Sequence, residues 1–261
     1  MKKFLLLLLL LLLIAALACA EQITVAAAAD LNYAMKDLAA HFEQKTGDKV
    51  SLSFGASGNL YAQIQNGAPY DLFFSADAEY PRKLASAGLL DGRSLRTYAV
   101  GHLVLWVPKN LSIDRDHGLT ASEEITKILL RPDVKRIAIA NPEHAPYGRA
   151  AMAALEHLGI QERVAGKLVL GENVSQAAQF VQSGNAQAGL IPLSLVHSPA
   201  MKNAGRYWEI PADAYPEIEQ VAGIVSSSKR KPAAQAFLDF IGSPEGTKIL
   251  QQYGFSAPPQ K

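Results

Sequence analysis

Residues 50–77 read VSLSFGASGNLYAQIQNGAPYDLFFSAD. Val50 to Phe54 reads as a strand, Leu60 to Gln65 as a helix, and Asp71 to Phe74 as a second strand. The run that joins the first strand to the helix, Gly55-Ala56-Ser57-Gly58-Asn59, offers small residues, a hydroxyl and an amide, with no charge. Strand, helix and strand in this order form the crossover unit from which parallel sheets with helices on both faces are built.

The same alternation extends in both directions. Upstream, Ile23 to Ala27 reads as a strand and Leu31 to Lys45 as an amphipathic helix. Downstream, His102 to Val107 and Arg136 to Ala140 are strands, followed by a helix at Ala150 to Leu158 and a strand at Lys167 to Leu170. A helix at Ala177 to Gln182 and a strand at Gly189 to Ile191 complete this second set. Gln220 to Val225 is again strand-like, and helices at Ala233 to Ile241 and Glu245 to Tyr253 close the chain, with Gly254 as a helix C-cap. Two sets of this size, in 261 residues, suggest an α/β protein of two lobes rather than one long sheet.

The first twenty residues have a different character. Lys2 and Lys3 precede an apolar run from Phe4 to Leu17, and Ala18-Cys19-Ala20 has the small-x-small form of a signal-peptidase site, so residues 1–20 read as an export signal. Its apolar core is short for a membrane span. Cys19 is the only cysteine, so a chain cleaved after Ala20 has no thiol, which excludes disulfides and cysteine metal sites. Acylation of Cys19 as a lipoprotein is the alternative, although Ala16 stands where such signals usually carry leucine. Loss of Lys2 and Lys3 would take the formal charge from +1 to −1, and no basic stripe supports nucleic-acid binding. The six histidines are dispersed without metal-ligand spacing, and the carboxylates Asp71, Asp77 and Glu79 read as surface-loop residues. Gly55-Ala56-Ser57-Gly58-Asn59 approaches a nucleophile elbow, but its last position is asparagine and no histidine and acid can be assigned to it, so an enzyme is not expected.

Four strand-to-helix junctions share one chemistry: 27–31 (AAADL), 55–59 (GASGN), 142–148 (PEHAPYG) and 171–175 (GENVS). Each places small or hydroxyl-bearing residues at a helix start, where backbone N–H groups lack intrahelical partners and the helix dipole is positive. Two such junctions from each lobe, facing across a cleft, would enclose a small tetrahedral anion with neutral donors. Small residues also serve as plain caps and tight turns, so the spacing suggests such a site without deciding it. Arg149 lies just beyond, placed to favour a carboxylate or phosphate if it turned inward, or facing solvent from the first turn of its helix.

At these loops the chain resembles the periplasmic molybdate-binding proteins, the solute-binding components of molybdate ABC transporters. The stretches that carry the resemblance are ITVAAAADLNYAM (23–35), residues 54–77, ANPEHAPYGRAAMAALEHLG (140–159), GENVSQAAQFVQSGNAQAGLIP (171–192) and FLDFIGSPEGTKILQQYGF (237–255). It implies a two-lobed, type II periplasmic binding-protein fold. Residues 21–101 would form the first part of lobe 1, 102–219 lobe 2, and 220–261 a return to lobe 1. It also implies a monomer that takes molybdate or tungstate in the cleft, delivers it to the permease subunits of an ABC importer, and needs no cofactor. Carried over by position, the ligand contacts are Ser57, Val174 through its backbone N–H, Tyr147 and Asp30. They meet the metal only as its oxyanion, not as a bare cation. Two positions depart from the family pattern. Asp30 stands where serine or threonine is usual, and Pro192 replaces a tyrosine found in some members. The expectation is that Asp30 caps its helix with its charge turned away, and that Tyr147 supplies the donor lost at Pro192. The alternative is a different small oxyanion or a carboxylate in the same fold. Trp106, Trp208 and Phe73 read as packing residues, and Asn59 and Gln63 as stabilisers of their helix start.

Overall fold

The computed structural model describes residues 20–113 and 118–258. The leader, Cys19 and the last prolyl position of the tail lie outside the described residues. From Gln22 the chain forms β1 (Gln22–Ala28), α1 (Ala34–Thr46), β2 (Lys49–Gly55), α2 (Ser57–Gln65), β3 (Leu72–Ser75), α3 (Glu79–Ser86) and β4 (Arg96–Gly101). After His102 it enters β5 (Leu103–Pro108), α4 (Ala121–Leu129), β6 (Ile137–Ala140), α5 (Pro146–His157), α6 (Gln161–Val164), β7 (Leu168–Gly171), α7 (Val174–Gln182), β8 (Ala188–Pro192), α8 (Leu193–Val196) and β9 (Gly205–Glu209). It then returns through β10 (Ile218–Ile224), α9 (Lys231–Ile241) and α10 (Pro244–Gln252).

The strands make two five-stranded sheets, ordered β2-β1-β3-β10-β4 and β7-β6-β8-β5-β9. Each sheet holds parallel pairs, β1 with β2 and β3 in one and β6 with β7 and β8 in the other. The sheets are mixed rather than parallel throughout: β10 runs antiparallel to β3 and β4, and β5 antiparallel to β8 and β9. Topology is the reason. A strand that arrives from the opposite lobe runs against its neighbours, whereas strands joined by a crossover helix run with them.

Local chemistry fixes the ends of the elements. Gly47 adopts φ +83° and closes α1, where any side chain would strain the left-handed backbone. Thr120 and Glu123 form a reciprocal capping box on α4, Asn173 caps α7 through its side-chain oxygen, and Ser243 caps α10 ahead of Pro244. Gly254, at φ +82°, follows α10 as expected. Helices α2, α5 and α7 begin three to four residues earlier than their apolar period suggests, at Ser57, Pro146 and Val174. Their first turns, Ser57-Gly58-Asn59, Pro146-Tyr147-Gly148-Arg149 and Val174-Ser175-Gln176, face the cleft and carry no apolar repeat, so no stripe marks them. Leu31 belongs to a 3-10 turn, Ala29–Leu31, and α1 itself begins only at Ala34.

Packing is layered on both faces of the first sheet. Leu31, Met35, Leu38, Phe42, Phe74 and Phe237 fill one side, and Leu60, Phe73 and Leu84 the other. The core of the second lobe, around Trp106 and Leu155, continues to Ala28, Ala29, Ala56 and Ala76, so its apolar surface runs into the cleft. Trp106, Trp208 and Phe73 are all buried, and nothing about them suggests a ligand face. Among the described residues the chain passes between the sheets at His102 and at 210–217, two thin crossings between the lobes.

Candidate functional site

One cavity between the lobes is lined from all four junctions. Its wall consists of Ala28, Ala29 and Asp30 after β1, Gly55, Ala56 and Ser57 after β2, and Ala76 after β3. The other lobe contributes Ala145, Pro146 and Tyr147 at the start of α5, and Asn173 and Val174 at the start of α7. The structure therefore brings Asp30, Ser57, Tyr147 and Val174 together around a single space. Pro192 is buried at the end of β8 and is not part of this wall.

Each helix start offers donors. Ser57 and Val174 are the first residues of α2 and α7, and Tyr147 the second of α5, so their N–H groups precede the point where the helix can use them. In α7, Asn173 Oδ1 takes the N–H groups of Ser175 and Gln176, which leaves Val174 N–H outside the cap. Ser57 is 1% exposed, and its Oγ accepts the Ala76 N–H at 3.0 Å. That bond uses one of its two lone pairs and leaves the hydroxyl proton available as a donor.

Asp30 is not a capping residue: Ala28 stands at the N-cap of the 3-10 turn and Tyr33 at that of α1. The Asp30 side chain is buried instead, 1% exposed, and Oδ2 accepts a hydrogen bond from Gln220 Nε2 at 2.7 Å. Gln220 Oε1 in turn accepts from the Tyr98 hydroxyl at 2.8 Å, and the Tyr147 hydroxyl lies 3.5 Å from Gln220 Nε2. Burial pushes the Asp30 carboxyl up to about 6, and Gln220, Tyr147 and the backbone N–H groups of Asp30 and Leu31 offset part of that rise. Burial likewise drives the Tyr98 and Tyr147 hydroxyls well above the usual tyrosine range, with the Asp30 charge adding to it, so both stay neutral donors. Tyr147 is thus directed to Asp30 and Gln220, a different setting from replacement of a donor at position 192.

The lobes touch all round the cavity. Gly58 N–H donates to His144 O at 2.9 Å, Ser175 Oγ to Ala29 O at 3.1 Å, and Ser194 Oγ to Asp30 O at 2.8 Å. At the rim Arg149 turns toward the other lobe while its side chain stays 39% exposed. Its Nη2 meets Asp77 Oδ2 at 2.6 Å, and its guanidinium lies over the Tyr80 ring at 5.5 Å. Burial raises the Asp77 carboxyl, and the Tyr80 N–H and the Arg149 charge oppose the rise. The cation at this rim is therefore spent on a protein carboxylate. Asn59 also reaches across, to Glu172 Oε1 at 3.5 Å, while Gln63 accepts from the Tyr70 hydroxyl as a local stabiliser.

Gln220, Tyr98 and the Asp77–Arg149 pair were not legible as site residues. Gln220 leaves one trace, a lone amide in the strand-like run IEQVAGI, where the pairing of β10 with β4 slips between Gln220 and Val221. Such a bulge re-aims a side chain. Among the described residues no group of histidines and carboxylates is arranged to hold a metal ion, and no helix is long and apolar enough to cross a membrane.

Two α/β lobes joined by thin crossings, with a small cavity free of lysine and arginine between helix starts, are the architecture of a solute-binding protein. The chain belongs to the bacterial extracellular solute-binding proteins, whose family model matches residues 23–256. It is 43% identical over 242 residues to the molybdate-binding protein ModA of Azotobacter vinelandii, covering 92% of each chain. The ModA of Rhodobacter capsulatus is 39% identical over 91% of this chain and 89% of its own. The solved structure of the A. vinelandii periplasmic molybdate-binding protein superposes with a TM-score of 0.82, at 35% identity, over 91% of this chain and 100% of that one. These relatives are solute-binding proteins rather than enzymes. The sulfate-binding protein SubI of Mycobacterium tuberculosis, at 18% identity and a TM-score of 0.72, shares the fold.

Proposed function

We propose that this chain captures molybdate, or tungstate, outside the cytoplasm and delivers it to the permease subunits of an ABC importer. The observation that carries the reading is the cavity wall. Donors at the starts of α2, α5 and α7 and the Ser57 hydroxyl converge on one space that contains no lysine or arginine. Neutral donors fixed by helix geometry suit a dianion because they stabilise its charge without favouring a proton on it.

Ser57 would donate through its hydroxyl and N–H, Val174 and Tyr147 through backbone N–H, and Asp30 would border the anion beside them. All these bonds go to anion oxygens, and no side chain ligates the metal atom. Opening at His102 and 210–217 would admit the anion to one lobe. Contacts from the other lobe would then favour the closed form, a population shift set by its higher affinity. No covalent step or cofactor enters, and catalysis has no role in this reading. Residues 1–20 would direct export and be removed, and the chain would act as a monomer.

Isothermal titration of the ligand-free protein with molybdate, tungstate, sulfate and phosphate tests this. One-to-one binding of the first two, with at least a hundredfold preference over the others, is expected. Preference for another oxyanion would show that Asp30 and Pro192 have retuned the cleft, and silence with all four would refute the reading.

A further inference from the structure

This inference rests on the oxyanion reading, and it concerns the one carboxylate in the cavity wall. Asp30 lines the cavity and is shut off from water: Oδ2 is held by Gln220, whereas Oδ1 has no hydrogen bond of ordinary geometry among the described residues, the Tyr147 hydroxyl and the Asp30 and Leu31 N–H groups easing the carboxyl charge only in part. A buried carboxylate oxygen left unpaired is costly, and it is costlier beside a dianion. We infer that the bound complex keeps one proton between Asp30 Oδ1 and an oxygen of the anion, so that capturing a fully ionised oxyanion takes one proton from solvent.

The surroundings favour this. From β4 the facing titratable group is Tyr98, and from α5 it is Tyr147, with Tyr215 beyond it; all three are neutral phenols. β10 contributes the amide of Gln220, α8 the Ser194 hydroxyl bonded to Asp30 O, and α7 the Ser175 hydroxyl bonded to Ala29 O. No lysine, arginine or histidine is among the groups that set the proton affinity of Asp30. His102, on the crossing, turns its ring to Ser256, and Arg149 is paired with Asp77. No cation nearby compensates an ionised Asp30; Gln220, Tyr147 and the backbone N–H groups of Asp30 and Leu31 offset only part of the cost of burial, which raises the carboxyl to about 6 before any anion arrives. A neighbouring dianion can only raise it further.

The proton balance is simple. One O–H bond forms at Oδ1, with its hydrogen donated to the anion, and no other bond changes. An anion that carries its own proton would donate it to ionised Oδ1 and take up none. For molybdate, affinity should fall about tenfold for each pH unit above the Asp30 value in the free protein, and should level off below it.

The experiment is calorimetric titration of the ligand-free protein with sodium molybdate from pH 5.5 to 8.5. At each pH, two buffers of different ionisation enthalpy are used, so that protons are counted directly on the native chain. Uptake of about one proton at pH 7.5, with Kd rising about tenfold per unit, is expected. In Asp30→Asn, with folding checked by thermal melting, both effects should vanish while one-to-one binding persists. One-to-one binding by the native chain with no proton uptake and a flat profile would overturn the inference and leave the oxyanion reading intact. Proton uptake that survives Asp30→Asn would also overturn it, because the proton would then belong elsewhere. Absence of binding at every pH would sink both readings together.

Discussion

Replacing Ser57 by alanine separates a ligand contact from a structural one, because the structure gives the hydroxyl two distinct tasks. Its oxygen accepts the Ala76 N–H at 3.0 Å, and its proton is left for the cavity. Removing the oxygen strands a backbone donor at a residue 2% exposed, which costs stability by about 1–3 kcal/mol. For a two-lobed chain of this size that corresponds to a fall in Tm of roughly 2–12 °C. Removing the proton takes away one hydrogen bond to a charged ligand, worth about 1.5–3 kcal/mol, or roughly 10- to 150-fold in affinity. The assay pairs calorimetric titration against molybdate with a melting curve of the ligand-free protein. Both effects should appear in Ser57→Ala, with one-to-one stoichiometry kept. A melting temperature that falls while the affinity stays within twofold of the native value would refute the reasoning: the hydroxyl would then be a brace for Ala76 alone, and the anion would sit elsewhere.

Other perturbations follow from the same geometry. Arg149→Gln removes the rim ion pair with Asp77 without touching the cavity wall; both groups keep some solvent contact, so about 1 kcal/mol is at stake. Stopped-flow measurements should show a roughly fivefold faster release of molybdate, with less dependence on salt than in the native protein. Gly101→Ala would place a methyl group inside contact distance of Tyr147 Oη and Gln220 Nε2, beside the crossing at His102. It should weaken molybdate binding at least tenfold and enlarge the radius of gyration of the liganded protein in small-angle scattering. Gly58→Ala would push a methyl against His144 O at 2.9 Å and Tyr80 Oη at 2.7 Å, and should likewise disfavour closure. Asp30 should make the ligand-free fold less stable at high pH. Its folded value, about 6, lies above its ordinary 3.8, so its contribution is complete below about pH 4 and is lost as pH rises through 6, about 3 kcal/mol in all. Chemical denaturation at pH 4.5 and 8 should show that loss shrinking in Asp30→Asn.

How far the sequence can be read here depends on what each residue answers to. Strands β1, β6 and β8 were legible because burial on both faces demands continuous apolar runs, β2 because Val50, Leu52 and Phe54 alternate with serines, and α1, α9 and α10 because they lay an apolar stripe on a sheet. Strands β4 and β9 were not, since they mix charged and apolar residues, and helices α3 and α4 were not because, at 8 and 9 residues, they are short, although each presents an apolar face. The junction residues Ser57, Val174 and Tyr147 could be singled out because a helix start near a ligand needs small or donor residues, a local requirement. Asp30 drew attention as a charge among alanines, but its setting was misjudged: a capping role is local chemistry, whereas burial against Gln220 depends on a strand 190 residues away in sequence. The Asp77–Arg149 pair was hidden for the same reason: Asp77 read as a surface-loop residue, and Arg149 could be read as turned inward or as facing solvent, until the lobes meet. If the lobes open and close as proposed, contacts across the cleft would exist only in the closed arrangement and would be selected by the difference between two states of the molecule. No pattern within one segment encodes that difference, and it is the difference that would set how tightly the anion is held.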